Sequence, residues 1–147
     1  MALVVLALVL GSVALRTGQP GTGSRTALAP SLAHALEQAR ADAAQAGVEI
    51  LITSGRRSAE EQQRLFDEAV ERYGSAEEAA QWVLPPEESA HVSGEAIDVA
   101  AEGADWLVAE GWRHGLCRRY ANEWWHFELL TEPGAVCPEL VPHAGAD

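Results

Sequence analysis

Apolar residues recur at helical spacing over residues 31–46, where Leu32, Ala35, Leu36 and Ala39 share one face. Ser31 reads as the N-cap of this helix and Gly47 as its stop. A short run at 48–53, Val-Glu-Ile-Leu-Ile-Thr, predicts a strand closed by Ser54 and Gly55. Ser58-Ala59-Glu60-Glu61 has the form of a capping box and predicts a helix to about Tyr73, with Leu65, Phe66, Ala69 and Val70 inward. Gly74 ends it, and Ser75-Ala76-Glu77-Glu78 repeats the signature for a shorter helix to about Val83. Pro85-Pro86 then forces an extended loop. Residues 96–100 predict a strand with Ile97 and Val99 on one face, and 104–110 a helix ending at Gly111. Residues 116–119 and 125–129 read as a hairpin. In its second strand, alternation sets Trp125 and Phe127 on one face against Trp124, His126 and Glu128 on the other. Helices and strands mix without a βαβ rhythm. The expectation is α+β, a small antiparallel sheet packed against helices.

The ends of the chain read differently. Residues 1–15 carry an unbroken apolar run, too short for a bilayer span of roughly twenty residues and matched to a signal peptide or a short anchor. Residues 16–30 are rich in Gly, Thr, Ser and Pro and read as a flexible linker. The folded domain is expected over 31–137. Residues 138–147, with their Pro and Gly, read as a frayed tail. Either reading of the leader places the domain outside the membrane, with membrane contact only through that N-terminal segment.

Charge narrows the partners. Twenty-two acidic residues stand against ten basic ones, all Arg, for a formal charge of −12 in 147 residues. Such a chain repels nucleic acid and anionic lipid in the general electrostatic sense, so no nucleic-acid partner is expected. At 48 % hydrophobic it can bury a core. Two cysteines are too few to hold a structural zinc alone. In an oxidising compartment Cys117 and Cys137 are expected to pair, tying the C-terminal segment back across the hairpin.

The chemistry lies in three short segments. Ser89-Ala90-His91-Val92-Ser93-Gly94-Glu95-Ala96-Ile97-Asp98 and Glu123-Trp124-Trp125-His126-Phe127-Glu128 together supply two imidazoles and a carboxylate. Three protein ligands with an open position suit a catalytic zinc. Asp98 lies between Ile97 and Val99 in a predicted strand. A carboxylate buried there without a partner costs several kcal/mol, so it is paired, metal-bound or at an exposed edge. Glu123, three residues before His126, can reach the site without ligating. His34, His114 and His143 read as surface or capping residues. Thr53-Ser54-Gly55-Arg56-Arg57-Ser58 joins a strand end to a helix N-cap. An Arg there either grips a carboxylate or oxyanion or pairs with a surface Glu.

In that order, Ser-Gly-x-Arg-Ser, Ser-x-His-x-x-x-Gly-x-Ala-x-Asp and Glu-x-x-His resemble the VanY-like D-alanyl-D-alanine carboxypeptidases. That family sits in a zinc peptidase group with D,D-dipeptidases and L,D-carboxypeptidases. The likeness runs over about residues 31–130, and Gln62-Gln63-Arg64-Leu65-Phe66 resembles the family's Gln-x-x-Leu-aromatic helix. It implies one Zn2+ per chain held by His91, Asp98 and His126, with Glu123 as general base. It implies Arg57 as the cation facing the scissile carbonyl, and Ser89 and Gln62 as substrate-binding residues. Arg56 stands where the family carries an aromatic, which leaves open which Arg reaches the site. The implied substrate is a peptidoglycan stem peptide ending in D-Ala-D-Ala, cut by a monomer on the extracellular or cell-wall side. Other peptidoglycan peptidases (L,D-carboxypeptidase, endopeptidase, D,D-dipeptidase) and a non-catalytic wall-binding domain are the alternatives.

Overall fold

The computed structural model describes residues 27–146; the leader over 1–15 and most of the linker over 16–30 lie outside them. The domain opens with helix α1, Pro30–Gln45. Its start differs from the expected Ser31 cap. Ala29 occupies the N-cap without a side-chain bond, and Pro30 takes the first helical position, where a missing N–H costs nothing. Leu32, Ala35, Leu36, Ala39 and Ala43 form its buried stripe.

Strand β1 is only Ile52–Ser54; ahead of it Ile50 is buried in the core and its carbonyl accepts from the Arg40 side chain instead of a ladder partner. Helix α2, Ala59–Tyr73, is capped as its sequence requires: Ser58 Oγ accepts from the Glu61 N–H at 3.1 Å, and Gly74 closes the helix in the left-handed region. Within α2, Gln62 and Ala69 are buried, while Leu65, Phe66 and Val70 are only half-buried. Helix α3, Ala76–Ala80, is capped by Ser75 and stops three residues before Val83. The segment around His91 is not loop but a single helical turn, α4, Ala90–Ser93. Strand β2, Ala96–Val99, follows. Helix α5, Ala101–Glu110, begins three residues before the expected 104 and runs into a 3₁₀ turn, Gly111–His114. Strands β3, Leu116–Arg118, and β4, His126–Leu129, complete the sheet.

The four strands are ordered β1-β2-β4-β3 and every neighbouring pair is antiparallel. The fold is α+β. The ladder of β2 with β4 sets Ile97 opposite Phe127 and Asp98 opposite His126. Because side chains alternate, one face of the sheet takes Ile97, Val99 and Phe127 into a core with Leu32, Leu36, Ile50, Leu107 and Leu116. The other face carries Asp98 and His126. Two glycines let backbones close on this core. A Cβ at Gly103 of α5 would meet Ile50 Cα at 3.0 Å, and Gly115 holds φ +74° before β3, where a Cβ would drive into the Thr131 carbonyl.

Three expectations fail against this packing. Trp124 and Trp125 form a turn before β4, so strand alternation does not extend to them. His114 is buried, with its Nε2 3.1 Å from Asp42 Oδ2, and so joins the 3₁₀ turn to α1 instead of capping the surface. Residues 138–146 are not frayed. Val141 bridges Tyr120, Ala144 is buried, and Gly145 lies so close to the Ala80 carbonyl that a Cβ would stand 3.1 Å away. Among the described residues no helix is long and apolar enough to cross a membrane.

Cys117 of β3 is bonded to Cys137, across a sequence separation of 20. In the chain-entropy description such a loop contributes about 3 kcal/mol by restricting the unfolded chain. Cys137→Ser is therefore expected to lower unfolding free energy by about that amount in urea titrations, with m rising as the unfolded chain expands. No change in midpoint would refute it.

Candidate active site

The site forms where β2 and β4 turn their polar face toward α2 and α4. Asp98 is its centre, 8 % exposed in the buried strand β2. Its Oδ1 lies 3.3 Å from His91 Nε2 and 3.2 Å from His126 Nδ1. Its Oδ2 receives a 2.9 Å bond from Arg57 Nη2. His91, Asp98 and His126 each present one ligand atom, and these atoms lie within 4.8 Å of one another.

Both rings are held from outside. His91 Nδ1 is 2.7 Å from the Gly55 carbonyl, which can only accept, so this nitrogen carries a hydrogen and Nε2 faces inward. The Arg57 N–H in turn donates to the His91 carbonyl at 3.0 Å. Thus the Ser-Gly-x-Arg segment grips the turn that carries His91. On the other ring, His126 Nε2 lies 2.9 Å from Glu128 Oε1, again an acceptor, which leaves Nδ1 toward Asp98.

The arginine pair divides its work. Arg57 donates to Ser54 Oγ, Gln62 Oε1 and Asp98 Oδ2 and lines a cavity of about 200 Å³. Arg56 donates to the Val92 carbonyl, and its stem rests against Gly94. Gln62, expected to touch substrate, is 1 % exposed with both ends of its amide engaged, to Arg57 and to the Leu84 carbonyl at 2.7 Å. It lines the cavity but acts on Arg57. Ser89 sits at the N-cap of α4, makes no capping bond with its side chain, and lines the same cavity.

Glu123 is buried at the cavity wall, its Oε2 3.8 Å from His126 Nδ1. Burial, reinforced by the charges of Asp98 and Glu128, pushes its carboxyl up to about 7 against the opposing pull of His126 and Arg57. Asp98 moves the other way. Burial acts to raise it, but hydrogen bonds from His126 and His91 hold it well below the usual carboxylate range. Burial also disfavours the His126 imidazolium, yet the bonds to Asp98 and Glu128 outweigh it and push that ring up to about 9.

Sequence reasoning missed several wall residues. Tyr120 places its ring 5.2 Å from that of His126, and Ala144, from the segment taken for a tail, closes the cavity. Leu84, Ala90, Tyr120 and Ala144 also border a second cavity of about 560 Å³ that includes Glu88, Arg119 and Glu128. Glu128 was legible as the same-face strand neighbour of His126. The contacts of Tyr120 and Ala144 depend on chain paths that no local pattern encodes.

Comparison with known proteins converges on one group. A D-alanyl-D-alanine carboxypeptidase of Enterococcus faecalis is 34 % identical over 144 residues, covering 80 % of this chain and 51 % of the relative. The chain thus spans about half the length of that curated relative. VanYB solved in complex with D-alanine-D-alanine superposes with a TM-score of 0.64 at 28 % identity, over 71 % of this chain and 72 % of that one. A VanY D,D-pentapeptidase variant in complex with Zn(II) gives 0.62 at 28 %, over 69 % and 71 %. The L,D-carboxypeptidase LdcB gives 0.60 at 25 %, over 69 % and 58 %. The family model described as VanY, D-alanyl-D-alanine carboxypeptidase, matches residues 25–132, and with the site geometry above this chain belongs to that family.

Proposed function

We propose that this protein is a zinc-dependent D-alanyl-D-alanine carboxypeptidase that removes the terminal D-Ala from peptidoglycan stem peptides, on the extracellular or cell-wall side of the membrane. The observation that carries the reading is the convergence of His91, Asp98 and His126 beneath a cavity that also holds Glu123 and Arg57. The donor set fits the metal. Two imidazoles have their outer nitrogens occupied by acceptors and their inner ones turned to a shared carboxylate, and such a set of three protein donors is what a catalytic zinc would take. The solved relatives in complex with Zn(II) and with D-alanine-D-alanine support both metal and substrate.

When bound, zinc supplies Lewis-acid chemistry, polarising the scissile carbonyl and lowering the pKa of water. Glu123, buried at the cavity wall beside His126, accepts the proton of the attacking water and delivers it to the leaving amine. Arg57, fixed by Ser54, Gln62 and Asp98, holds its guanidinium at the cavity wall, where it offsets negative charge gathering on the carbonyl oxygen. Ser89 offers the substrate a hydroxyl. The second cavity gives room for peptide beyond the cut bond, which favours a stem peptide over a free dipeptide.

Mass spectrometry of muropeptide digests tests the reaction: loss of a single alanine is expected, and loss of a dipeptide or no change would overturn it. His91→Ala, Asp98→Ala and His126→Ala are each expected to lose zinc by elemental analysis. Glu123→Ala should keep the metal while kcat falls about 10²–10⁴-fold. Near-wild-type turnover in that variant would remove Glu123 as the base. Arg57→Ala is expected to lower kcat/KM by about 10²-fold, with Arg56→Ala close to wild type. The reverse order would move the role to Arg56.

Zinc uptake should also release protons. In the metal-free protein His126 keeps its proton up to about pH 9, and Nδ1 must be bare to ligate. Binding at neutral pH therefore expels that proton, and this group alone makes affinity rise about tenfold per pH unit until the pH reaches that value. Calorimetry in buffers of different ionisation enthalpy should show at least one proton released per ion. No release at pH 7 would contradict the assignment.

A further inference from the structure

We infer that Glu128 is a positioning residue for His126, the outer carboxylate that fixes the ring so that Nδ1 faces the metal. The inference rests on the zinc site proposed above and adds to it a residue with no part in the chemical steps. His126 is 5 % exposed at its side chain and Glu128 14 %, so the 2.9 Å bond between them is shielded from water. A carboxylate accepts and does not donate, which obliges Nε2 to carry the hydrogen. The opposite tautomer would leave Nε2 as the bare nitrogen, pointing away from Asp98. Without this partner the ring is free to turn about its Cβ–Cγ bond, which carries Nδ1 away from Asp98.

Backbone geometry makes the contact specific. His126 and Glu128 are two apart on β4 and share a face. Glu128 is registered between Ala96 of β2 and Cys117 of β3, and Cys117 is itself tethered to Cys137. The carboxylate thus projects from an interior strand braced on both sides. His91 is held by an equivalent device from another source, the Gly55 carbonyl. Each imidazole therefore has one outward acceptor, one from backbone and one from Glu128. Loss of such an outer partner typically costs about 10–100-fold in metal affinity.

Glu128 also borders the second cavity, where a carboxylate is able to contact substrate instead. The experiment separates the roles. Zinc dissociation constants are measured by chelator competition on metal-stripped wild type, Glu128→Gln, Glu128→Ala and Glu88→Ala, with folding checked by circular dichroism. Glu128→Ala is expected to weaken zinc binding about 10–100-fold, with Glu128→Gln between it and wild type. Glu88→Ala, which removes the same charge from the same cavity without touching His126, should bind zinc as wild type does. The Co(II) absorption spectrum should shift in both Glu128 variants. Unchanged affinity and an unchanged cobalt spectrum would overturn the inference. So would an equal loss in Glu88→Ala, or a rise confined to the KM for peptide. If the Ala variant does not fold, the near-isosteric Gln variant decides by the same readouts. A wild-type protein that binds no zinc would overturn the functional reading itself; tight binding that ignores Glu128 would overturn only this inference.

Discussion

A carboxylate in the middle of a buried strand is the constraint around which this domain is arranged. Asp98 sits in β2, all four of whose residues are buried, with core-facing Ile97 and Val99 on either side. An ionised carboxylate in such a place is tolerated only with partners of opposite charge and good hydrogen bonds, and removing one partner of a buried pair costs about 3–5 kcal/mol. Here the partners come from separate parts of the chain. Arg57 arrives from the turn before α2, His91 from α4 and His126 from β4. Placing them requires the antiparallel order β1-β2-β4-β3, which sets Ser54 and His126 opposite Asp98 from the two flanking strands. Satisfying one charge thus specifies much of the topology.

The sheet is what lets a site this polar coexist with a small core. Strand alternation sends Ile97 and Phe127 one way and Asp98 and His126 the other at adjacent rungs. The apolar face is covered by α1 and α5, with Gly103 allowing α5 to approach Ile50 closely. On the polar face rigidity comes from hydrogen bonds instead of packing. Gln62 braces Arg57 against the Leu84 carbonyl, and Gly55 braces His91. The Cys117–Cys137 bond secures the outermost strand of the sheet and brings the following chain back toward the site. From there Val141 pairs with Tyr120 and Ala144 reaches the cavity wall.

What the sequence disclosed follows from how local each signal is. The boxes at Ser58 and Ser75 specify helix starts through bonds within three residues, and both form as read. The α1 stripe is equally local. Strand limits were less legible, since pairing depends on distant partners: Ile50 is consumed by the core and β1 begins only at Ile52. His91, Asp98 and His126 were legible as a set because their residue types and order carry a resemblance; spacing alone left a paired carboxylate equally open. Tertiary partners were not legible. His114 was misjudged because Asp42 lies far back in α1, and the C-terminal segment because Pro and Gly content says nothing of the groove it fills. Gln62 was legible as a residue of the site, but its bonds to Arg57 and the Leu84 carbonyl were not.

The formal charge of −12 looks unsuited to an anionic peptide terminus, but electrostatics at this site are local. At physiological salt, exposed charges are screened over about 8 Å, so most surface carboxylates are not felt inside the cavity. Within it acidic and basic groups stand in direct contact. Arg57 and His126, whose ring is pushed up to about 9, face the carboxyl groups of Asp98 and Glu128, while burial pushes Glu123 up to about 7. On the proposed reading, a dication that displaces the His126 proton leaves the site one charge more positive and favours the ionised form of Glu123. The field that draws a C-terminal carboxylate and stabilises a developing oxyanion is then a property of the loaded site, whatever the sign of the surface around it.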